Sequence, residues 1–254
     1  MKNIILAAGY ATRLYPITEN FPKPLLKIGD STILDRLMAD IDAIPEISGH
    51  IVVSNHKFIH HFEAWAEEAR RRYQKPIEII DDGSVDNDHR IGAVKDLILA
   101  LEAGAVEEDI LVAAADNLLD FSFRGFVEYF KEKATSLIMC HHEPSIAALQ
   151  KTGVVCLDDS NRVLSMEEKP QEPKSHWAVP PFYIYRREDL DLIKRAIENG
   201  CKYDAPGNLA LYLANTLSST PTPLHAWPMP GSRYDIGDVA SYERINNMYN
   251  AKSY

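Results

Sequence analysis

Short runs of consecutive apolar residues recur along the first half of the chain. They occupy residues 3–8, 50–54, 77–80, 110–115 and 136–140. Because the apolar positions are consecutive rather than alternating, this pattern predicts strands that are buried on both faces of a sheet.

Segments with helical periodicity separate these runs. Within 31–44 the apolar residues fall on one helical face, and Ser31 or Asp30 is predicted to cap the start of this helix. Residues 92–101 repeat the periodicity. Since strands and helices alternate, the first half predicts a mainly parallel sheet with helices on both faces.

The second half of the chain has a different pattern. Residues 153–159 and 162–170 predict two strands joined by a turn at 158–161, and 180–189 predict a third strand that leads into a helix. We therefore expect a mixed region after about residue 140. The fold class predicted for the whole chain is α/β, with a Rossmann-like mixed but mainly parallel sheet in a single domain spanning 1–254.

The charge of the chain limits its partners. Asp and Glu number 37 against 27 for Lys and Arg, which gives a net charge of −10. Such a molecule repels polyanions, so nucleic acid is not expected as a partner. An anionic substrate would need a local group of cations, backbone N–H groups or a metal ion.

The cysteines and the hydropathy indicate a location. The three cysteines have no CxxC spacing, which is typical of reduced thiols in a cytoplasmic protein. No apolar run approaches the roughly 18 residues that a membrane span needs, so no membrane partner is expected.

The opening segment LAAGYATRLYP, residues 6–16, suggests a phosphate site. It is an apolar strand followed by small residues and then Arg13, and small side chains let a phosphate approach backbone N–H groups. The segment lacks the GKS or GKT of a P-loop and the GxGxxG of a dinucleotide fold.

Residues 6–26, LAAGYATRLYPITENFPKPLL, resemble the signature LAxGxGTRLxPxTxxxPKPLL of the sugar-phosphate nucleotidyltransferases. The resemblance includes Arg13, Thr18 and the prolines on either side of Lys23, and it departs from the signature at Ala11, where the family commonly has Gly. It implies a nucleotidyltransferase fold of the GT-A-like kind, with a nucleotide-binding part over about 1–140 and an acceptor-binding part over about 141–245.

The resemblance implies a role for each signature residue. Arg13 would grip the triphosphate through its fork, and Lys23 would neutralise it as a point charge; both are counted as catalytic. Fixed cations lower the barrier because attack on the α-phosphorus crowds negative charge on phosphate oxygens. Backbone contacts to the nucleotide would come from Leu6, Ala8, Gly9 and Tyr10.

Two aspartates are candidate ligands of Mg²⁺, which prefers one or two carboxylates together with substrate oxygens. Asp116 ends an apolar run and resembles the aspartate of the family's GDN, where it would also contact the nucleotide. Asp235, in SRYDIGD, resembles the aspartate of the family's WxDIGT. Asp238, by contrast, is expected to cap the following helix.

The acceptor site is predicted from EKP, residues 168–170. By the resemblance, Lys169 would contact the phosphate of the acceptor as a catalytic residue, and Glu168 would bind a sugar hydroxyl. Gly92 would let the backbone approach the nucleotide. Where relatives have Thr-Gly, this chain has Pro180 and Pro181, which cannot donate N–H groups, so the acceptor pocket is expected to be altered.

These features predict transfer of a nucleotidyl group from a nucleoside triphosphate to a sugar 1-phosphate, giving an NDP-sugar and pyrophosphate with Mg²⁺. A cytidylyltransferase acting on an alcohol, polyol or choline-type phosphate is an alternative that the two prolines favour. A non-catalytic nucleotide-sugar-binding regulatory protein is the second alternative. Homo-oligomers are common among relatives, so an assembly of several copies is a further expectation.

Overall fold

The computed structural model describes residues 1–251. Its strands are β1 (Lys2–Leu6), β2 (Lys27–Ile28), β3 (Ser31–Thr32), β4 (Gly49–Ser54), β5 (Ile77–Asp81), β6 (Ile110–Ala114), β7 (Asn117–Leu119), β8 (Leu137–His142), β9 (Gly153–Leu157), β10 (Val163–Glu168), β11 (Trp177–Val179), β12 (Phe182–Tyr185), β13 (His225–Pro228) and β14 (Arg233–Asp235). Its α-helices are α1 (Ile33–Asp42), α2 (Ile59–Arg72), α3 (Ala93–Ala103), α4 (Arg124–Lys133), α5 (Ile146–Leu149), α6 (Leu190–Lys194), α7 (Pro206–Leu217) and α8 (Val239–Ala251).

The chain divides into two compact units, each built from segments that are far apart in the sequence. The signature unit comprises Lys2–Ile91, Ala114–Phe123 and the described residues from Gly231. The EKP unit comprises Met1, Gly92–Ala113 and Arg124–Pro230. The single-domain organisation, with parts meeting near residue 140, stays a prediction.

The signature unit contains the parallel strands that the apolar runs predict. β1 pairs with β4 and β4 pairs with β5, both parallel, with Ile4 opposite Ile51 and Val52 opposite Ile79. A parallel pair needs a crossover connection, which α1 and α2 supply. Ile4 and Val52 are fully buried, as continuous apolar runs require.

The start of α1 differs from the prediction. Thr32, rather than Ser31 or Asp30, is the N-cap, because its Oγ1 accepts the backbone N–H of Asp35 at 2.9 Å. Thr32 Oγ1 also donates to the carboxylate of Asp35 at 2.8 Å. The reciprocal pair fixes the helix start one residue later than the sequence suggests.

Two short antiparallel ladders complete the signature unit. β2 pairs with β3, and β7 pairs with β14. The late segment is held by an apolar cluster in which Ile236 and Ile245 pack with Leu14, Leu26, Ile28, Ile33 and Leu118. This packing brings the residues after Gly231 beside the residues that follow β6.

The EKP unit contains a mixed sheet with the strand order β10-β9-β11-β8-β12-β6, and β13 pairs with β8 in parallel. β9 and β10 form the predicted hairpin, and β12 lies antiparallel to both β6 and β8. The expected mixed region and the α/β class are therefore confirmed. None of the helices in residues 1–251 has the length and apolar character that crossing a membrane requires.

Candidate nucleotide and metal site

The signature loop leaves the end of β1 with its backbone open to a ligand. A Cβ placed on Gly9 would meet no atom within 4 Å. Asn55 Nδ2 donates to the carbonyl of Ala8 at 3.0 Å, and Thr18 Oγ1 donates to the carbonyl of Ala11 at 2.8 Å. These bonds hold both sides of the loop while Gly9 stays uncovered.

Ala11 occupies a backbone conformation that explains why the family commonly has Gly there. Its φ is 47° and its ψ is 43°, in the left-handed region. This region costs an L-residue about 1 kcal/mol or more, whereas glycine enters it freely. The departure from the signature therefore keeps the loop conformation at a cost in stability.

The side chain of Tyr10 is turned into the protein. Tyr10 is buried, its hydroxyl donates to the carbonyl of Ser84 at 2.8 Å, and its ring packs against Phe58 with centroids 6.1 Å apart. Burial raises the pKa of Tyr10 above its ordinary value. Only its backbone is left for the nucleotide contact that the resemblance implies; that contact, like those of Leu6 and Ala8, stays a prediction.

Lys23 and Asp116 form an ion pair. Lys23 Nζ donates to Asp116 Oδ2 at 3.0 Å, and the Lys23 side chain is 6% exposed whereas that of Asp116 is 43% exposed. A nearly buried ammonium requires such a partner, because an unpaired charge is costly to bury. The pairing places a fixed cation beside the first candidate metal ligand.

Asp235 and Arg13 both lie beside Gly237, and the strand of Asp235 pairs with the strand that follows Asp116. In the ladder of β7 and β14, Asp235 is opposite Asn117, the residue after Asp116. A Cβ on Gly237 would lie 3.7 Å from Asp235 Oδ2 and 3.9 Å from Arg13 Nη1, so both groups flank Gly237. The signature unit therefore contains the Lys23–Asp116 pair and the Asp235 and Arg13 groups beside Gly237, and the ladder of β7 and β14 connects the two places.

Two further residues that the sequence did not single out join the cluster. Arg233 Nη1 donates to Asn117 Oδ1 at 2.7 Å, and Asn117 Nδ2 donates to Asp116 Oδ1 at 2.6 Å. The sequence signal that could have identified Arg233 is its position, since it stands where the WxDIGT motif has Trp.

Asp238 has the capping role that was predicted for it. Its Oδ1 accepts the backbone N–H of Ser241 at 2.8 Å, and Ser241 Oγ accepts the backbone N–H of Asp238 at 3.0 Å. Hydrogen bonds from Ser241, followed by the charge of Arg13, lower the pKa of Asp238.

The residues present fit Mg²⁺ better than a metal that needs a complete protein cage. The Asp116 side chain is 43% exposed, and Asp235 is exposed on the neighbouring strand. Within residues 1–251, no group of three or more His, Cys, Asp or Glu side chains could hold a metal ion. Mg²⁺ commonly takes one or two carboxylates and completes its coordination with water and phosphate oxygens.

In the EKP unit, the Glu168 carboxylate packs closely against two glycines. Its Oε2 is buried and has no hydrogen-bond partner among residues 1–251. A Cβ on Gly153 would lie 3.1 Å from this oxygen, and a Cβ on Gly207 would overlap it. Burial raises the pKa of Glu168; the positive charge of Lys169 offsets part of this rise, and the charge of Asp204 adds a smaller upward contribution. The arrangement leaves a buried acceptor atom that a ligand hydroxyl could satisfy.

Lys169 and Gly92 are also placed in the EKP unit. Lys169 has a φ of 50°, and its Nζ lies 4.0 Å from Glu168 Oε1. Gly92 has a φ of 97°, and a Cβ there would lie 2.5 Å from the carbonyl oxygen of Tyr203. Packing against Tyr203 therefore explains the glycine; its contact with the nucleotide stays a prediction.

The fold and these contacts define an α/β protein with an open glycine loop and an exposed carboxylate that is paired with a nearly buried lysine. The sequence profile described as nucleotidyl transferase matches residues 2–252, so the chain belongs to the nucleotidyl transferase family.

Named relatives agree with this family. The chain is 25% identical to a glucose-1-phosphate thymidylyltransferase of Neisseria meningitidis over 98% of its own length and 85% of the relative. It is 26% identical to the bifunctional protein GlmU of Methanococcus aeolicus over 76% of its length, and the match covers 42% of that relative. The chain thus spans under half of that longer relative.

Among solved structures, UDP-glucose pyrophosphorylase complexed with UDP-glucose superposes with a TM-score of 0.79 at 19% identity, covering 99% of this chain and 98% of that one. At this identity the likeness establishes the fold.

Proposed function

We propose that the protein transfers a nucleotidyl group from a nucleoside triphosphate to a sugar 1-phosphate, with release of pyrophosphate. The observation that supports the proposal is the ion pair of Lys23 and Asp116, which the ladder of β7 and β14 connects to Asp235 and, beside Gly237, to Arg13. Glucose-1-phosphate thymidylyltransferase and UTP–glucose-1-phosphate uridylyltransferase are among the relatives by name, which supports this reaction.

The proposed chemistry is a displacement at phosphorus. A phosphate oxygen of the acceptor attacks the α-phosphorus, the bond from the α-phosphorus to the bridging oxygen breaks, and pyrophosphate leaves with that electron pair. The acceptor oxygen is already a competent nucleophile, so the site mainly orients the reactants and neutralises charge. Arg13 and Lys23 supply fixed positive charge.

Asp116 and Asp235 are proposed to hold Mg²⁺. The ion would neutralise charge on the phosphate oxygens of the triphosphate. Lys23 balances the charge of the Asp116 carboxylate when no metal ion is bound, and Asn117 orients that carboxylate.

Glu168 and Lys169 are proposed to bind the acceptor. A sugar hydroxyl that donates to Glu168 Oε2 would satisfy the buried oxygen that lacks a partner in residues 1–251. Lys169, half exposed, is available to a phosphate group. We also propose a cytoplasmic location and leave assembly into homo-oligomers as a prediction.

The test is to incubate the protein with Mg²⁺, each common nucleoside triphosphate and a panel of sugar 1-phosphates and alcohol phosphates. Pyrophosphate release and the nucleotide product, identified by mass spectrometry, are measured together. We expect an NDP-sugar with at least one pair of substrates and loss of activity in Asp116→Asn. Activity confined to CTP and an alcohol phosphate would replace the sugar acceptor by the alternative, and binding without turnover would indicate a regulatory protein.

A further inference from the structure

Arg233 lies on the same face of a ladder as a candidate metal ligand. In β14 it is opposite Leu119 of β7, and Asp235 is opposite Asn117. Side chains two residues apart on a strand project from the same face, so the guanidinium and the Asp235 carboxylate share one face. Arg233 also stands where the WxDIGT motif has Trp, so the cation is a feature of this chain.

Arg233 determines the orientation of the Asn117 amide. The guanidinium has only donors, so it must face the amide oxygen, and the bond from Arg233 Nη1 to Asn117 Oδ1 is 2.7 Å. The amide nitrogen is then turned towards Asp116 Oδ1, to which it donates at 2.6 Å. Asn117 is 2% exposed, so water has little access to replace either bond.

Asp116 is consequently held at both carboxylate oxygens. Asn117 donates to Oδ1, and Lys23 Nζ donates to Oδ2 at 3.0 Å. Each carboxylate oxygen can accept more than one bond, so these donors leave capacity for a cation. If the Asn117 amide were flipped, its oxygen would face the carboxylate and repel it.

We propose that Arg233 is a positioning residue: through the Asn117 amide it holds the Asp116 carboxylate in the orientation that receives Mg²⁺. This inference rests on the proposed function for its biological meaning. Groups that orient metal ligands from outside the coordination shell change metal affinity by about 10-fold to 100-fold when they are removed.

The experiment measures Mn²⁺ binding to the full-length protein by electron paramagnetic resonance of the free ion. In Arg233→Met, we expect the dissociation constant for Mn²⁺ to rise about 10-fold. Arg233→Lys should recover part of the affinity, because an ammonium can still donate to Asn117 Oδ1. Arg71→Met is the matched control: it removes one arginine from the same unit, where the side chain is 73% exposed and pairs with Glu68.

A second variant tests the route of the effect. Asn117→Ala should weaken Mn²⁺ binding to a similar extent, and adding Arg233→Met to it should change the affinity little further. Full additivity of the two losses would show that Arg233 acts by its charge alone and would overturn the proposal. Urea unfolding of each variant checks that the fold is kept, and Arg233→Lys carries the test if Arg233→Met does not fold.

Turnover separates this inference from the proposed function. In the active enzyme, Arg233→Met should raise the Mg²⁺ concentration for half-maximal rate about as much as it weakens Mn²⁺ binding, with kcat at saturating Mg²⁺ little changed. Unchanged Mn²⁺ affinity and unchanged Mg²⁺ requirement, or a wild-type protein that binds no Mn²⁺, would refute the positioning role. If no substrates react but Mn²⁺ affinity still depends on Arg233, the proposed function fails and the positioning role stands.

Discussion

At the scale of single residues, Arg13 is the strongest test of the proposed chemistry. Its guanidinium flanks Gly237 together with the Asp235 carboxylate. In Arg13→Ala we expect kcat/KM to fall about 10²-fold to 10³-fold, or about 3–4 kcal/mol of transition-state stabilisation, because charge develops on the phosphate oxygens during the reaction. Steady-state pyrophosphate release measures the loss, with Arg71→Ala as the control. Undiminished turnover in Arg13→Ala would remove the arginine from the mechanism.

Glu168 gives the protein a pH dependence that can be isolated by one substitution. Burial raises its pKa in the folded state, so the folded protein holds this proton more tightly than the unfolded chain. The free energy of unfolding therefore falls as the pH rises from the ordinary glutamate pKa through the raised one, and the loss persists above it.

In Glu168→Gln this part of the pH dependence should disappear. Urea unfolding of both proteins at a series of pH values gives the difference, in which the contributions of the other titrating groups cancel. A difference that is constant across the acidic range would show that Glu168 titrates alike in the folded and unfolded states.

At the scale of elements, the start of α7 forms one side of the space that the Glu168 carboxylate occupies. Gly207 lies in the first turn of that helix, and a Cβ there would overlap Glu168 Oε2. We expect Gly207→Ala to raise the KM for the acceptor several-fold and to leave the KM for the nucleotide unchanged, because the methyl group displaces the carboxylate. Asn215→Ala, on an exposed position of the same helix, is the control.

A shortened side chain provides the complementary test of this packing. Because the new methyl group overlaps the Glu168 carboxylate, Gly207→Ala should also lower the free energy of unfolding. Adding Glu168→Asp should restore part of this loss, since the shorter side chain places its carboxylate farther from the methyl group. If the effects of the two substitutions on the free energy of unfolding are additive, the methyl group and the carboxylate do not interact, and the overlap does not position Glu168.

The strands and helices differ in how well the sequence alone predicts them. The strands were predicted because five apolar runs are largely continuous, and the structure contains a strand at each. The expectation of burial on both faces is wrong for β5, because Glu78 in that strand is exposed. β7 and β14 were missed because three residues carry no periodicity, and their pairing joins segments more than a hundred positions apart.

The candidate site shows the same division. Arg13, Lys23, Asp116 and Asp235 follow from motifs that resemble those of a family. The bridge from Arg233 through Asn117 depends on the register of a ladder and on the direction of an amide, which no local pattern specifies.

At the scale of the whole molecule, the net charge of −10 opposes the binding of a triphosphate. Lys23 does not offset this charge alone, because its ammonium is paired with Asp116. A divalent cation shared between the carboxylates and the triphosphate would neutralise both partners at once. Nucleotide binding is therefore expected to depend on the metal ion more steeply than on any one side chain.

This dependence predicts how ligands change the unfolding of the protein. A ligand that binds only the folded state at 100 times its dissociation constant adds about 2.7 kcal/mol to the free energy of unfolding. The unfolding midpoint in urea is measured with each common nucleoside triphosphate in turn, with Mg²⁺ present and acceptor absent. The midpoint should rise for the triphosphate whose base the protein accepts. EDTA should abolish the increase, and Asp235→Asn should reduce it, because the two carboxylates would then no longer hold the ion jointly.

An equal increase with EDTA present would mean that the triphosphate is held by Arg13, Lys23 and the loop backbone without a metal ion, and Asp116 and Asp235 would then need another role.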